Sequence, residues 1–493
     1  MEQYYNHEME RLELFKMFVD GAREEHNAAK DNETPFVYHP INALMMIKRV
    51  VFAANFVQTE FETCAESEVR NEIEQFVNGS SFPTDEDAQG AAVGLFRLQH
   101  TYNISIEQLL EDNFITVPIN TTMVEMTLQD FADIAHLAFE AEYDTDALRW
   151  GLTASRMFEE QMDNFTQSPV YEQALGVITA ALMRRQDYEW ALYIGRQFAQ
   201  LYPDNELVEV FANFEADVIA NHSDIATIEY TKADQLPTLD LSITHEGYEL
   251  YEALCREPET YMDAKRVSTL TCYYKNDGGR YPWYNRFAPI RTEILNQYPR
   301  IEVYLGVLPA KLRHDIQQSA LSKLQDSGVG KPSERQQGVT FRVSKTAGFA
   351  DNETVVMQLR RIAHTLVDHM PSSYEELQVV NYGLGGQYEP HYDMFTDGDP
   401  NPFGDGTGNR VQTLLFCLEN PIEGGRTAFT ELNLGVELAS GDALTWRNMN
   451  KRYEYDYSSM HAGCPVIAGS KWIVNQWIRA HDNMFIMPCQ KDP

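Results

Sequence analysis

The chain has 493 residues, more than one hydrophobic core usually organises, so two to four domains are expected. Its 74 acidic residues against 39 basic ones give a formal charge of -35. Such a surface repels phosphate backbones and argues against a nucleic-acid partner, and solubility is its plainer meaning. No apolar stretch approaches the roughly 18 residues that a membrane span requires.

The first segment, residues 1–110, reads as helical. Tyr5, Met9, Leu12, Phe15 and Val19 recur at steps of three and four and form one apolar stripe. That stripe suits either a dimer seam or an intramolecular core face. Met1-Glu-Gln-Tyr-Tyr opens on a charged, helix-like segment rather than a secretory leader, which by itself suggests the cytosol. Seven N-x-S/T sequons, at Asn32, Asn78, Asn103, Asn120, Asn164, Asn221 and Asn352, point toward a secretory compartment instead. Ser81-Phe-Pro-Thr-Asp-Glu-Asp has the turn and acidic residues of a capped helix start.

Residues 111–220 are helical again and carry a loose repeat. Ile134, Ala135 and Ala138 are followed by Tyr143, Ala147 and Trp150. Leu175-Gly176 is followed by Ala180-Ala181, Tyr188, Ala191-Leu192 and Pro203. Small residues at helix crossings with an aromatic one turn away match tetratricopeptide-like units, whose stacked pairs hold extended peptides. An ordinary helical bundle is the plainer alternative. Residues 221–295 are turn-rich, with Asn276-Asp-Gly-Gly-Arg at their centre, and read as a connector.

From residue 296 onward the pattern changes. Helices are expected at 309–325 and 353–369. Short β-rich runs follow at Leu377-Gln-Val-Val-Asn-Tyr, Arg410-Val-Gln-Thr-Leu-Leu-Phe-Cys, Arg426-Thr-Ala-Phe-Thr, Asp442-Ala-Leu-Thr-Trp and Lys471-Trp-Ile-Val-Asn-Gln-Trp-Ile. Turns at Gly424-Gly425, Gly441 and Gly469 separate them. Many short strands at such spacing indicate a sandwich or jelly-roll barrel.

Within this region stands His391-Tyr392-Asp393. In an extended strand, side chains two apart share a face, which sets the imidazole beside the carboxylate. His461 on another strand completes two imidazoles and a carboxylate, a set suited to Fe(II) with open positions for a co-substrate and O2. Lys471 follows in an apolar run, where a cation can anchor the far carboxylate of an iron-chelating keto-acid. A second H-x-D, His222-Ser223-Asp224, lacks these surroundings and reads as a solvated loop. The six cysteines include no CxxC pair, and their number leaves disulfides and buried thiols both open. Tyr382 and Tyr388, just before the ligand candidates, line the pocket or fill core.

Several segments together resemble the α subunits of collagen prolyl 4-hydroxylases of an animal, insect-like type. They are His39-Pro-Ile-Asn-Ala, Asp85-Glu-Asp-Ala-Gln-Gly-Ala-Ala, Arg97-Leu-Gln-His-Thr-Tyr-Asn, Tyr251-Glu-Ala-Leu-Cys-Arg, Gly385-Gly-Gln-Tyr-Glu-Pro-His-Tyr-Asp, Gly406-Thr-Gly-Asn-Arg and Ser459-Met-His-Ala-Gly-Cys-Pro. The resemblance implies a multidomain α + β chain. A helical N-terminal half with a dimerisation domain (1–110) and a tetratricopeptide-like peptide-binding domain (111–220) would lead through the connector to a double-stranded β-helix (jelly-roll) dioxygenase domain at 296–493. It implies His391, Asp393 and His461 as iron ligands and Lys471 as the 2-oxoglutarate anchor, with Tyr382 and Arg479 near the co-substrate. It pairs Cys255 with Cys272 and Cys464 with Cys489, leaving Cys64 and Cys417 as free thiols. The implied reaction is 4-hydroxylation of proline in X-Pro-Gly peptides with Fe(II), 2-oxoglutarate and O2, giving succinate and CO2, with L-ascorbate restoring the iron. The implied setting is the endoplasmic reticulum lumen, in an α2β2 tetramer with protein disulfide isomerase.

The sequence departs from the family at two points that bear on function. Where relatives present groove tyrosines, it has Val177, Ala180 and Met183, with Phe211 and Phe214 in the next helix, and weaker stacking on proline rings is expected. Where many relatives have histidine after the last tryptophan, it has Arg479. The alternatives are a 2-oxoglutarate oxygenase acting on another secreted protein, and a catalytically inactive peptide-binding scaffold. The intact His, Asp, His and Lys set argues against the scaffold.

Overall fold

A computed structural model describes residues 33–61, 83–111, 113–116, 123–222, 236–243, 247–257, 270–276, 282–327, 342–396 and 406–483, with isolated positions elsewhere. Of the apolar stripe near the N-terminus, Met9 and Leu12 are described, in helical conformation and exposed, while Tyr5 and Phe15 lie outside the described residues. The chain divides into two compact units. One comprises Met1–Phe96, Ile104–Phe114 and Asn120–Thr244, and the other Arg97–Asn103, Ile115–Ile119 and His245–Pro493. No described helix is long and apolar enough to cross a membrane.

The first unit is helical: α1 (Glu33–Tyr38), α2 (Pro40–Phe61), α3 (Asp85–Tyr102), α4 (Ile106–Leu110), α5 (Leu128–Glu140), α6 (Asp144–Gln161), α7 (Pro169–Arg185), α8 (Tyr188–Leu201) and α9 (Leu207–Asn221). Helix α3 gives its last residues to the second unit. Local chemistry sets the ends. Thr127 and Asp130 form a reciprocal capping box on α5, Ser105 and Gln108 form one on α4, and Pro169 opens α7 where its missing N–H is harmless. Helix α5 buries Phe131, Ile134, Ala135 and Ala138 at three- and four-residue steps, and Phe131 meets Trp150 of α6 at 5.5 Å between ring centroids. Gly195 lets α8 approach α9 closely, since a Cβ there would stand 2.1 Å from the Phe211 ring. An extended strap, residues 236–243, is tied to these helices by Arg149 donating to the Leu241 carbonyl, Arg185 to that of Asp240 and Trp190 to that of Pro237.

This packing changes the picture of the expected groove face. Val177 and Phe211 are buried between helices, Met183 leans on the small cluster of Leu192, Phe211 and Val218, and Phe214 faces Tyr188. His222 ends α9 and stacks on Tyr188 at 4.4 Å; its partners in the second H-x-D, Ser223 and Asp224, lie outside the described residues.

The second unit holds helices α10 (Glu249–Arg256), α11 (Pro282–Phe287), α12 (Ala310–Leu321) and α13 (Thr354–Leu366). Its strands are β1 (Thr271–Lys275), β2 (Ile290–Asn296), β3 (Ile301–Tyr304), β4 (Gln325–Asp326), β5 (Lys345–Phe349), β6 (Leu377–Tyr382), β7 (Tyr388–His391), β8 (Arg410–Glu419), β9 (Glu423–Gly424), β10 (Thr427–Phe429), β11 (Leu434–Val436), β12 (Ala443–Arg447), β13 (His461–Gly463), β14 (Val466–Ala468) and β15 (Lys471–Arg479). Among the described residues nine strands form an antiparallel sheet, β1-β2-β3-β12-β8-β15-β6-β5-β4, and four form a smaller one, β11-β10-β13-β7. From β6 onward the chain passes back and forth between these sheets, which is the winding of a double-stranded β-helix. Strands β1 and β2 extend the large sheet, so part of the segment read as a connector belongs to the barrel unit.

Alternation along the strands builds two cores. Leu414, Phe416 and Leu418 of β8 and Val474 and Ile478 of β15 face α12 and α13, together with Ile316, Leu359 and Leu366. Leu415 and Cys417 of β8, Ile473 of β15, Val380 and Tyr382 of β6 and Trp446 of β12 face the barrel interior.

The cysteines correct the expected pairing. Cys255 is joined to Cys464, so neither the Cys255–Cys272 nor the Cys464–Cys489 bridge forms. Helix α10 packs Tyr251, Leu254 and Cys255 against Ala428 and Ala462 of the small sheet, which brings Cys255 onto Cys464. Cys272 sits exposed on the edge strand β1 as a free thiol, and Cys417 is a buried one, as expected. Cys64 and Cys489 lie outside the described residues.

Candidate metal and co-substrate site

Strands β7 and β13 are neighbours in the small sheet, with His391 directly opposite His461. That register, rather than the H-x-D spacing alone, brings the two imidazoles to a centroid distance of 4.4 Å. Strand β7 ends at His391, so Asp393 stands just past it and is held from the large sheet. The Thr413 hydroxyl donates to Asp393 Oδ2 at 2.6 Å, and Arg410 Nη1 donates to the Asp393 carbonyl at 3.2 Å. The ligand atoms of His391, Asp393 and His461 all lie within 4.8 Å of one another, the only such group among the described residues.

The hydrogen bonds fix the tautomers. His391 Nδ1 lies 2.7 Å from the Glu389 carbonyl and His461 Nδ1 lies 3.0 Å from that of Ser459. A carbonyl can only accept, so each Nδ1 carries a proton and each Nε2 is the nitrogen left to face a metal. Burial, with His461 adding to it, pushes His391 down to about 3, so its imidazole stays neutral. Burial alone would raise Asp393, but His461, His391, Arg410 and the Thr413 hydroxyl together hold it below the ordinary carboxylate range. Two imidazoles and one carboxylate are the donor set that non-haem Fe(II) takes, and these residues fit it.

Lys471, the first residue of β15, pairs across the sheet with Tyr382, and its Nζ lies 5.6 Å from that ring. It is 6% exposed, and no carboxylate lies within ion-pair distance of it among the described residues. Burial pushes it down to about 8. A buried cation without a counter-ion calls for an anion, and a keto-acid carboxylate meets that need. A narrow recess beside it is lined by Cys417, Gly425, Thr427, Leu438 and Ile473. Tyr388 stacks on His391 at 3.5 Å, and the Arg342 guanidinium lies 4.7 Å from the centroid of the Tyr388 ring.

Arg479 ends β15, eight positions after Lys471 (479 − 471) or about 26 Å of extended strand. It joins a buried ion cluster: Arg410 grips Glu375 through two 2.8 Å bonds, Arg479 Nη1 lies 3.3 Å from the same carboxylate, and Arg479 Nη2 donates to Thr407. Phe395 lies beside both guanidinium groups, and Trp477 faces that of Arg410 at 3.7 Å. No sequence motif marks Glu375, Arg410 or Thr413. Arg410 and Thr413 on β8 carried a faint signal, as polar residues at the start of a strand whose middle is apolar.

The chain matches known proteins along nearly all of its length. A family model for the prolyl 4-hydroxylase α-subunit N-terminal region matches residues 1–115, and one for the 2OG-Fe(II) oxygenase superfamily matches residues 377–479. Prolyl 4-hydroxylase subunit alpha-1 of Caenorhabditis elegans is 29% identical over 99% of this chain and 86% of its own length. The Homo sapiens protein of that name is 29% identical over 99% of this chain and 91% of its own. A solved viral collagen prolyl hydroxylase from Paramecium Bursaria Chlorella virus-1 aligns with 36% of this chain and 96% of its own, at 25% identity and a TM-score of 0.30. The oxygenase match spans His391, Asp393, His461 and Lys471, so the barrel that gathers them is a 2-oxoglutarate- and Fe(II)-dependent oxygenase domain, in a chain similar over nearly all of its length to prolyl 4-hydroxylase α subunits.

Proposed function

We propose that this chain is the catalytic α subunit of a procollagen-proline 4-dioxygenase. The observation that carries the reading is the buried His391, Asp393 and His461 cluster in one barrel with the Lys471 ammonium, which has no carboxylate partner among the described residues, in a chain similar over nearly all of its length to prolyl 4-hydroxylase α subunits. His391, Asp393 and His461 would hold Fe(II), and Lys471, with Tyr382 beside it, would hold the far carboxylate of 2-oxoglutarate. Fe(II) bound there would supply O2 activation coupled to decarboxylation of 2-oxoglutarate to succinate and CO2, and thereby oxidation of a proline C4–H bond to C4–OH. The protein's part is to exclude water, keep both Nε2 atoms deprotonated, fix the carboxylate and orient the peptide.

The same reading assigns L-ascorbate as the reductant that restores the iron, and collagen-like X-Pro-Gly peptides as substrate. It places the protein in the endoplasmic reticulum lumen, in an α2β2 tetramer with protein disulfide isomerase as β subunit. The sequons at Asn103, Asn164, Asn221 and Asn352 are its glycosylation candidates among the described residues, and the stacked helices α5–α9 its tetratricopeptide-like peptide-binding region. The test is succinate release by the full chain co-expressed with a disulfide isomerase, with and without a (Pro-Pro-Gly) repeat peptide. Peptide-stimulated turnover with one oxygen atom added to proline supports the reading. Turnover that no proline peptide stimulates would refute the substrate, and no turnover at all would refute the enzyme.

A further inference from the structure

The two oxygens of Asp393 stand almost symmetrically before the histidines. Oδ1 is 4.0 Å from His391 Nε2 and Oδ2 is 3.7 Å from His461 Nε2. Nothing in that face alone prevents both oxygens from chelating one ion. What distinguishes them comes from the opposite sheet. The fully buried Thr413 donates to Oδ2 at 2.6 Å, and Asn448, also fully buried, lies 3.0 Å from the Thr413 oxygen. A threonine hydroxyl has one proton, and an ionised carboxylate only accepts, so that proton belongs to Asp393. The Thr413 oxygen is then an acceptor, and Asn448 must turn its NH2 toward it. This leaves Asn448 Oδ1 buried without a hydrogen-bond partner. The Asn448 backbone is pinned beside Thr413, its N–H donating to the Val411 carbonyl of β8 at 3.0 Å.

We propose that Thr413, backed by Asn448, is a positioning residue that withholds Oδ2 of Asp393 from the metal and so keeps this ligand monodentate. The inference rests on the iron site assigned above. Its consequence is a count of positions. Two imidazoles and one carboxylate oxygen leave three of six octahedral sites, two for a chelating keto-acid and one for O2. A carboxylate that took a second site would leave too few for both. The pair therefore protects co-substrate binding rather than metal affinity.

The test uses the full chain co-expressed with disulfide isomerase, Fe(II) under argon, and 2-oxoglutarate as the probe. Three quantities are read: metal affinity, the charge-transfer absorption that reports the iron–keto-acid chelate, and turnover. Thr413→Val keeps the shape and removes the hydroxyl. It is expected to bind Fe(II) at least as tightly as the natural protein, to bind 2-oxoglutarate about tenfold more weakly, and to lose about 10- to 100-fold in turnover. Thr413→Ser restores the proton and should restore the chelate absorption. Asn448→Leu, the second probe should the valine variant misfold, should shift 2-oxoglutarate affinity the same way by a smaller factor. Unchanged 2-oxoglutarate affinity in Thr413→Val, or Thr413→Ser as impaired as Thr413→Val, overturns the inference. Failure of the natural protein itself to form the chelate overturns the iron-site reading and this inference with it.

Discussion

Replacing Lys471 with methionine should make the empty protein more stable and its co-substrate binding worse. The ammonium is buried in the barrel with no carboxylate partner among the described residues, and burial lowers it from 10.5 to about 8. At about 1.4 kcal/mol per tenfold change in proton affinity, that drop is a strain of about 3 kcal/mol on the charged form in the folded state. Because the folded value lies below the unfolded one, the strain is fully present below pH 8, where both states are charged. It fades between pH 8 and 10.5, where the folded chain has lost the proton and the unfolded chain still holds it. Lys471→Met has a similar length and no charge, so it should gain up to about 3 kcal/mol in denaturant unfolding at pH 7 and progressively less above pH 8. The same change removes a charge-assisted contact of about 1.5 to 3 kcal/mol, which raises the KM for 2-oxoglutarate about 10- to 150-fold. In the natural protein, 2-oxoglutarate affinity should fall above about pH 8 as the empty site loses its proton. Urea unfolding across pH 6 to 11 and succinate release against 2-oxoglutarate concentration measure both sides. A variant that is less stable at pH 7, or that keeps its KM, would refute the assignment of Lys471 as a strained anchor.

Other perturbations test the surroundings. His391→Ala removes one of three metal donors and should abolish turnover while leaving the circular-dichroism spectrum and assembly unchanged; near-normal hydroxylation would refute the ligand assignment. Glu375→Ala leaves Arg410 and Arg479 buried without their carboxylate and should cost about 3 to 5 kcal/mol in unfolding free energy, whereas a loss below 1 kcal/mol would mean that water enters the cluster. His369 is 2% exposed with neither ring nitrogen hydrogen-bonded, and burial lowers it to about 4. The unfolded chain takes up this proton first, so about 3 kcal/mol of stability should be lost as pH falls from 6.5 to 4, and His369→Gln should flatten that slope. Mass mapping of non-reduced peptides should recover Cys255 linked to Cys464, with Cys272 alkylated in the native state and Cys417 only after unfolding.

Much of the catalytic unit was legible in the residue order. Runs rich in Val, Ile, Leu, Phe and Trp between glycine turns gave β6, β8, β10, β12 and β15 close to their true bounds, because strand alternation and turn chemistry are local. Helices α12 and α13 were legible for the same reason. The residue types of the candidate metal and anchor set, His391, Asp393, His461 and Lys471, needed only the chemistry of their side chains. What the sequence did not carry is pairing across distance. The register that sets His391 opposite His461, the reach of Thr413 from the large sheet to Asp393, the contact of Asn448 with Thr413, and the grip of Glu375 on Arg410 and Arg479 join residues tens of positions apart, and no periodicity records which strands become neighbours. The cysteines show the same limit. A bridge between neighbours in sequence, Cys255 and Cys272, was the expectation, yet the packing of α10 on the small sheet chose Cys464, 209 residues away. By itself the sequence determined which chemistry the chain carries, since donor atoms and local conformation belong to each residue and its neighbours. Only the tertiary structure decided which oxygen, which nitrogen and which thiol meet, because that follows from how the two sheets and their helices pack.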